Sequence, residues 1–375
     1  MFGKSVMRFK QWAVLLIVIV SANGFAAGRL PQFPEDPQTH NWEKLGEGIY
    51  AFISPINVTP MVSGNSLVVI GDDSVLVVDT GQFPSLARAE IAKIRQLTAL
   101  PVRYIVMTHW HNDHWTGNQE FARAYPGVSI IATAYTRTLA QSNGAQYVTP
   151  EYAGKVLDSV DKAIARGTHS DGKPLLPSER PYLEMAKIQF KRFGEELAGS
   201  TPIYPNVTFS DNLDVYLGRR LVQIRFLGRG NTGGDAVVFV PDSKVLAAGD
   251  LVASPVPFGT ASFYYEWSST LQKLLAMNAQ IIVPGHGAVE HGNSYVNHLV
   301  QLLKSVQAQV ADAIKSGLSL EDTLKRVTLA EAIQDSCRTQ EFPDLCRNSF
   351  QHNFVEPAVA RTYKEQKDGA LASED

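Results

Sequence analysis

The chain is poor in cysteine, in excess charge and in long apolar runs. Its 34 Lys and Arg against 37 Asp and Glu leave a net charge of −3. No basic stripe stands out, so nucleic acid is not an expected partner. No stretch beyond the first 26 residues is apolar enough to span a bilayer. Cysteine occurs only at Cys337 and Cys346, and neither lies near a histidine cluster in sequence. Nothing in the composition suggests disorder or a repeat array. What is present is bulk: 375 residues, 45% hydrophobic, enough for one large domain with appendages.

Residues 1–26 read as a secretory signal. Lys4, Arg8 and Lys10 form a positive start, Trp12–Val20 an apolar stretch too short to cross a membrane, and Gly24-Phe25-Ala26 a small-residue cleavage site before Ala27. A retained anchor is the alternative. The expected location is periplasmic or secreted, with no stable membrane span after cleavage. In an exported chain two nearby cysteines pair, so Cys337 and Cys346 are expected to staple a short loop; two free thiols is the alternative. Residues 27–45 are polar and proline-containing, a leader without clear structure.

From Gly46 the pattern turns to strands. Gly48–Ile53, Asn65–Ile70 and Ser74–Val78 are short apolar runs separated by turn residues. Phe83–Leu100 reads as an amphipathic helix, Val102–Met107 and Ser129–Ala132 as strands. Residues 134–200 change to a helical pattern, mainly Glu151–Ala165 and Ser178–Leu197. This segment is an insertion or lid. Its Tyr152, Tyr182, Met185, Phe190 and Phe193 either line a substrate pocket or pack an apolar stripe on the core. Strands return at Val207–Phe209, Leu213–Leu217, Leu221–Phe226, Ala236–Val240, Val245–Ala248 and Gln280–Val283, with a helix over Glu266–Asn278. Helices follow at Tyr295–Lys315, Leu320–Val327 and Glu356–Lys367. Strands and helices in this order predict an α/β fold: a four-layer α/β/β/α sandwich, residues 46–293, with a helical C-terminal extension, 294–375. Asn57-Val58-Thr59 and Asn206-Val207-Thr208 match the glycosylation pattern, which is common by chance.

The chemistry concentrates in Thr108-His109-Trp110-His111-Asn112-Asp113-His114-Trp115. Three histidines and an aspartate fall in the pattern His-x-His-x-Asp-His, between a buried strand and a short helix over Glu120–Tyr125. Thr116-x-x-Gln119 offers that helix a capping box. His109 and His111 are two apart and face the same way in extended backbone. Asp113 and His114 diverge and suit a second position. Two imidazoles for one cation, with Asp and imidazole for another, make a binuclear zinc-type arrangement. Two later loops add to it. Ala248-Gly249-Asp250-Leu251 presents Asp250, whose carboxylate can bridge two cations. Pro284-Gly285-His286-Gly287 presents His286, which can complete the second ion's shell.

With these residues the chain resembles the metallo-β-lactamase superfamily over about Gly46 to Gly287, with the glyoxalase II and lactonase branches nearest in pattern. The resemblance implies His109 and His111 on metal one, and Asp113, His114 and His286 on metal two, with Asp250 between. It implies that Asp79, at the end of an early strand, supports the histidine loop. One position departs from the family. Gly228-Arg229-Gly230-Asn231-Thr232-Gly233-Gly234-Asp235 has Asn231 where a third histidine for metal one is expected. An amide oxygen is a weaker, harder ligand than imidazole, so Asn231 is expected to bind weakly or through water, and Fe or Mn stay open beside Zn2+. Asp235 fits a structural turn.

The implied activity is hydrolysis of an ester, lactone, thioester or amide bond, β-lactams included, in a small-molecule substrate. Two cations would activate a water, and Asp113 and Asp250 would be the catalytic carboxylates. Two alternatives follow from the altered metal-one shell: an iron-dependent oxidoreductase of the same fold, like the sulfur dioxygenases, or a metal-binding protein that has lost turnover. Nothing in the residues fixes an oligomeric state.

Overall fold

The computed structural model describes residues 41–54, 60–170, 172, 174–175, 179–340, 343–369, 371 and 373–374. The signal segment 1–26, the leader as far as residue 40 and the Asn57 glycosylation pattern lie outside them. Two sheets form the centre. The first runs in chain order from β1 (Asn41–Gly46) through β2 (Ile49–Ile53), β3 (Ser66–Ile70), β4 (Val75–Val78), β5 (Val102–Val106) and β6 (Ser129–Thr133) to β7 (Val207–Phe209). Its first three pairings are antiparallel, its last three parallel. The second sheet comprises β8 (Asn212–Leu217), β9 (Arg220–Phe226), β10 (Ala236–Val240), β11 (Val245–Ala253), β12 (Ile281–His286) and β13 (Glu290–His291), also in sequential order.

Side-chain alternation explains the layering. On β3, Leu67 and Val69 point to the other sheet, while Val68 points outward. On β4, Leu76 and Val78 face inward, Val75 and Val77 outward. On β10, Val238 and Val240 join the core between the sheets, and Val237 and Phe239 face the opposite way. Strands buried on both faces must be continuously apolar, as these are. Each fully buried Val, Leu or Ile contributes about 1.5–3 kcal/mol, so both outer faces need cover.

Helices supply it. On the first sheet lie α1 (Pro84–Leu97), with Ala87, Ile91 and Ile94 inward, and α2 (Asn118–Ala124), with Phe121. On the second lie α6 (Tyr264–Ala276), α7 (Ser294–Lys315) and α11 (Glu356–Asp368), through Trp267, Leu271, Leu299, Val306 and Val359. The order is helix, sheet, sheet, helix, as expected.

The 134–200 segment forms α3 (Ala134–Ser142), α4 (Pro150–Arg166) and α5 (Arg180–Leu197). Thr149 caps α4 by accepting from Tyr152 N, Pro150 starts it, and Gly167 ends it at φ +64°. Of the two readings of its aromatic residues, packing describes the contacts. Phe190 and Phe193 join a core cluster with Phe83, Trp110 and Trp115, and Phe193 meets Phe83 edge-on at 5.7 Å. The C-terminal extension adds α8 (Leu320–Arg326), α9 (Ala330–Cys337) and α10 (Pro343–Phe350). Cys337 and Cys346 form the disulfide, fully buried against the second sheet's helices.

Four expectations need correction. Asn41–Leu45, read as leader, form the first strand; its charged, half-exposed Trp42-Glu43-Lys44 is an edge-strand pattern. The capping box is not formed. Gly117 occupies the N-cap of α2 without a side-chain bond, and Thr116 Oγ1 instead donates to Asn112 O at 2.7 Å. Asp250 lies within β11 and His286 ends β12, where loops were expected, because the parallel pairing of those strands runs past Gly249 and Pro284. Finally, within the extension read as helical, α9 and α10 were not individually anticipated; the disulfide forms as expected and staples the short connection between them.

Candidate metal centre

The site forms where β4, β5, β11 and β12 end together. The chain leaves β4 at Asp79, which adopts φ +57°. This left-handed geometry is tolerated by Asp and turns its carboxylate under the next strand's exit. There Oδ1 accepts from Thr108 N at 2.8 Å, and Oδ2 from Thr108 Oγ1 at 2.7 Å. Oδ2 also meets His114 Nδ1 at 2.8 Å. One carboxylate thus fixes the start of the histidine loop and the orientation of its last imidazole. With Nδ1 engaged, His114 turns Nε2 into the site. The turn Asn112–His114 is a single 3-10 turn, and Gly64 N and Thr80 N clamp it by donating to Asp113 O at 3.0 Å and His114 O at 2.7 Å.

Two groups of donor atoms result. His109, His111 and Asp250 bring one ligand atom each within 4.8 Å of one another, and so do Asp113, His114 and His286. Asp250 reaches both: Oδ2 lies 3.6 Å from His109 Nε2, Oδ1 3.3 Å from His114 Nε2 and 3.5 Å from His286 Nε2. His114 Nε2 and His286 Nε2 face each other at 3.3 Å, and His286 Nε2 lies 3.0 Å from Asp113 Oδ2.

His109 Nε2 meets His111 Nδ1 at 2.9 Å, and a carboxylate oxygen between the two groups is left over. Among the described residues, Asp250 Oδ1 is buried and makes no hydrogen bond. Buried polar atoms are normally paired, so a buried unpaired carboxylate oxygen facing His114 and His286 fits a cation. Burial pushes His109 well below its ordinary value, with His114 adding to the effect. Burial likewise lowers His111. Burial thus favours the neutral ring, the form in which an imidazole can offer a lone pair to a metal. For Asp113, burial acts to raise the carboxyl, but His114 and His286 outweigh it and hold it well below the usual range. The donor set, imidazoles and ionised carboxylates, is one that zinc-type ions accept.

Close packing around the donors depends on three glycines. A Cβ on Gly285 would lie 2.0 Å from Asp250 Oδ1, and one on Gly64 2.5 Å from His114 Cε1. At Gly249 the backbone has φ +52° and a Cβ would meet Thr108 Oγ1 at 2.7 Å. Asn65 ties the same region across the sheets, donating from Nδ2 to Pro284 O and Gly287 O, both at 2.9 Å. The sequence reading missed Gly64 and Asn65, which carry no ligand atom and sit far from the motif in the chain.

Asn231 is buried, and Phe258 links it to His111. Its Nδ2 donates to Phe258 O, and the Phe258 ring stands edge-on to His111 at 6.1 Å. That bond assigns the amide, so Oδ1 is the atom that is buried and without a partner among the described residues. Asp235 is a turn residue, as expected. Its carboxylate accepts from Thr232 Oγ1 at 2.6 Å and Thr232 N at 2.9 Å.

Comparison with known proteins gives one consistent result. The model of the family described as Metallo-beta-lactamase superfamily matches residues 59–286. Among curated proteins, the chain is similar to the linear primary-alkylsulfatase of Pseudomonas sp., 23% identical over 269 residues, 68% of this chain and 48% of that protein. It is also similar to a metallo-beta-lactamase type 2 of Bacillus cereus, 24% identical over 249 residues, 65% of this chain and 74% of that protein. The match thus spans about half the length of the alkylsulfatase. Among solved structures, a metallo-beta-lactamase from Pontibacter korlensis aligns with TM-score 0.51 at 20% identity, covering 71% of this chain and 99% of that one. At that identity the likeness is one of fold.

Proposed function

The chain belongs to the metallo-β-lactamase superfamily and carries its metallohydrolase fold, and from that premise we propose an exported two-metal hydrolase. The observation that carries this reading is Asp250, one oxygen turned toward each donor group. In it, His109, His111 and Asp250 hold metal one, with Asn231 Oδ1 as a weak fourth donor, direct or through water. Asp113, His114 and His286 hold metal two, with Asp250 shared. Zn2+ suits these donors; the harder amide oxygen makes metal one the weaker position and admits Fe or Mn there.

Two such ions, when bound, would supply an activated water and polarise the bond under attack. The chain's own residues do the rest. Asp113, partly exposed beside His286, is placed to relay the proton released by the attacking water to the leaving group. Asp250 keeps the two donor groups in register. Asp79 holds His114 in the tautomer that presents Nε2. The bond class is an ester, lactone, thioester or amide, with β-lactams included. The alkylsulfatase relative adds sulfate esters to the set worth testing.

The buried Cys337–Cys346 disulfide supports the exported location, since such bonds persist in oxidising compartments. The mature chain of exported protein should begin near Ala27 by mass spectrometry. The test of function is a substrate panel run on protein of known metal content: lactones, thioesters, carboxylate and sulfate esters, and β-lactams. The reading expects turnover of at least one class that is lost with chelation and returns with zinc. Turnover unaffected by metal removal would overturn it.

A further inference from the structure

The C-terminal tail returns to the metal-one loops. After α11, Gly369 at φ +93° turns the chain back, and three described residues, Leu371, Ser373 and Glu374, pack against the site's rim. Glu374 carries the contact. Its Oε1 accepts from Gly233 N at 2.7 Å, and its Oε2 from Trp110 Nε1 at 2.8 Å. Trp110 stands between His109 and His111, and its ring lies 4.7 Å from that of His111. Gly233 is two residues past Asn231. A Cβ there would lie 2.5 Å from Tyr135 Cζ, so the close approach needs glycine. One carboxylate therefore takes one N–H from each loop that flanks metal one.

Two arginines fasten the tail in place. Arg361 donates to Glu374 O and Ser373 O, both at 3.1 Å, and to Ser262 O at 2.8 Å. Ser262 Oγ in turn donates to Asn231 O at 2.8 Å. Arg229 donates to Leu371 O at 2.9 Å. The chain of bonds runs from the tail to the backbone of Asn231 on one side and to the His109–His111 turn on the other.

We propose that Glu374 is a positioning residue that clamps the His109–His111 loop to the Asn231 loop and so fixes the donor spacing at metal one. The inference rests on the two-metal reading. With an amide oxygen in place of a third imidazole, metal one has less binding energy of its own to hold the two loops together. A carboxylate bridging two N–H donors is suited to that work, because charge-assisted bonds are about twice as strong as neutral ones. Loss of a supporting bond behind a metal ligand typically costs about 10- to 100-fold in metal affinity.

The test uses Glu374→Gln and Glu374→Ala in the full chain. Gln keeps the shape but offers one acceptor and turns an NH2 against the other N–H donor. Metal per chain is counted against chelator concentration, and the melting temperature of the metal-free proteins is measured alongside. In both variants one ion should leave at about tenfold lower chelator, or lower still, while retention of the second ion stays as in the wild type even where the metal-free melting temperature falls. In a His286→Ala background, which removes a ligand of the other group, the remaining ion should weaken by the same factor when Glu374→Gln is added. Unchanged curves, or two ions weakening together with a lower metal-free melting temperature, overturn the inference and leave the two-metal reading standing. A wild-type chain with no ion on His109, His111 and Asp250 overturns both.

Discussion

Replacing Glu90 should change how stability depends on pH. Glu90 lies on the sheet-facing side of α1 and is 1% exposed, and its Oε1 has no hydrogen-bond partner. Burial raises its carboxyl from 4.5 to about 8; a bond with Ser66 opposes the rise and the charge of Asp79 adds to it. The folded chain therefore keeps this proton at pH values where the unfolded chain releases it. Below about 4.5 both states hold it and stability from this group is full. As pH rises through the window to about 8, the unfolded state gains by ionising and stability falls. At about 1.36 kcal/mol per pH unit, the loss is capped near 5 kcal/mol, and relaxation around the carboxylate should reduce it to a few. Glu90→Gln keeps the shape and removes the titration. Urea unfolding of both proteins at pH 5 and pH 8.5 isolates the effect, because titration of the site histidines is common to both and cancels. The variant should gain on the wild type by a few kcal/mol between the two pH values. A difference that is the same at both would refute the reasoning.

Three further outcomes follow from the geometry. Asp79→Ala removes three bonds at once and frees the His114 ring, so the ion on Asp113, His114 and His286 should bind about 10- to 100-fold more weakly in a chelator titration; unchanged retention would remove Asp79 from its supporting role. Gly285→Ala puts a methyl group 2.0 Å from Asp250 Oδ1. It should cost about 1–3 kcal/mol in thermal unfolding and lower turnover about 10²-fold through displacement of that carboxylate, and wild-type turnover would show that Asp250 tolerates the shift. The Cys337–Cys346 bond closes a loop with a sequence separation of only 9, so reducing it should cost about 2–3 kcal/mol by denaturant unfolding, and no change on reduction would mean that burial alone holds α9 to α10.

The parts of this site that were legible in the sequence are those whose partners are close in the chain. His109, His111, Asp113 and His114 fall within six residues and need no tertiary information to be placed together. Asp250 and His286 were legible through family resemblance, but their glycine neighbours read as turns. In the fold those glycines sit inside β11 and β12, where they let the two strands pass close to the Asp250 carboxylate. The four layers were legible because buried strands such as Val75–Val78 are apolar throughout. The edge strand Asn41–Gly46 was not, because one half-exposed strand with charged residues has no period that separates it from a leader. The tail contact had no local signature at all: Trp110 and Glu374 are 264 residues apart, and only the turn at Gly369 and the two arginines bring them together.

The most direct measurement of the central claim is anomalous diffraction from crystals loaded with zinc. The account predicts two peaks. One lies among His109, His111 and Asp250 with Asn231 Oδ1 turned toward it, and the other among Asp113, His114 and His286, with an Asp250 oxygen facing each. A single peak, or zinc bound only outside these residues, would contradict the two-metal site.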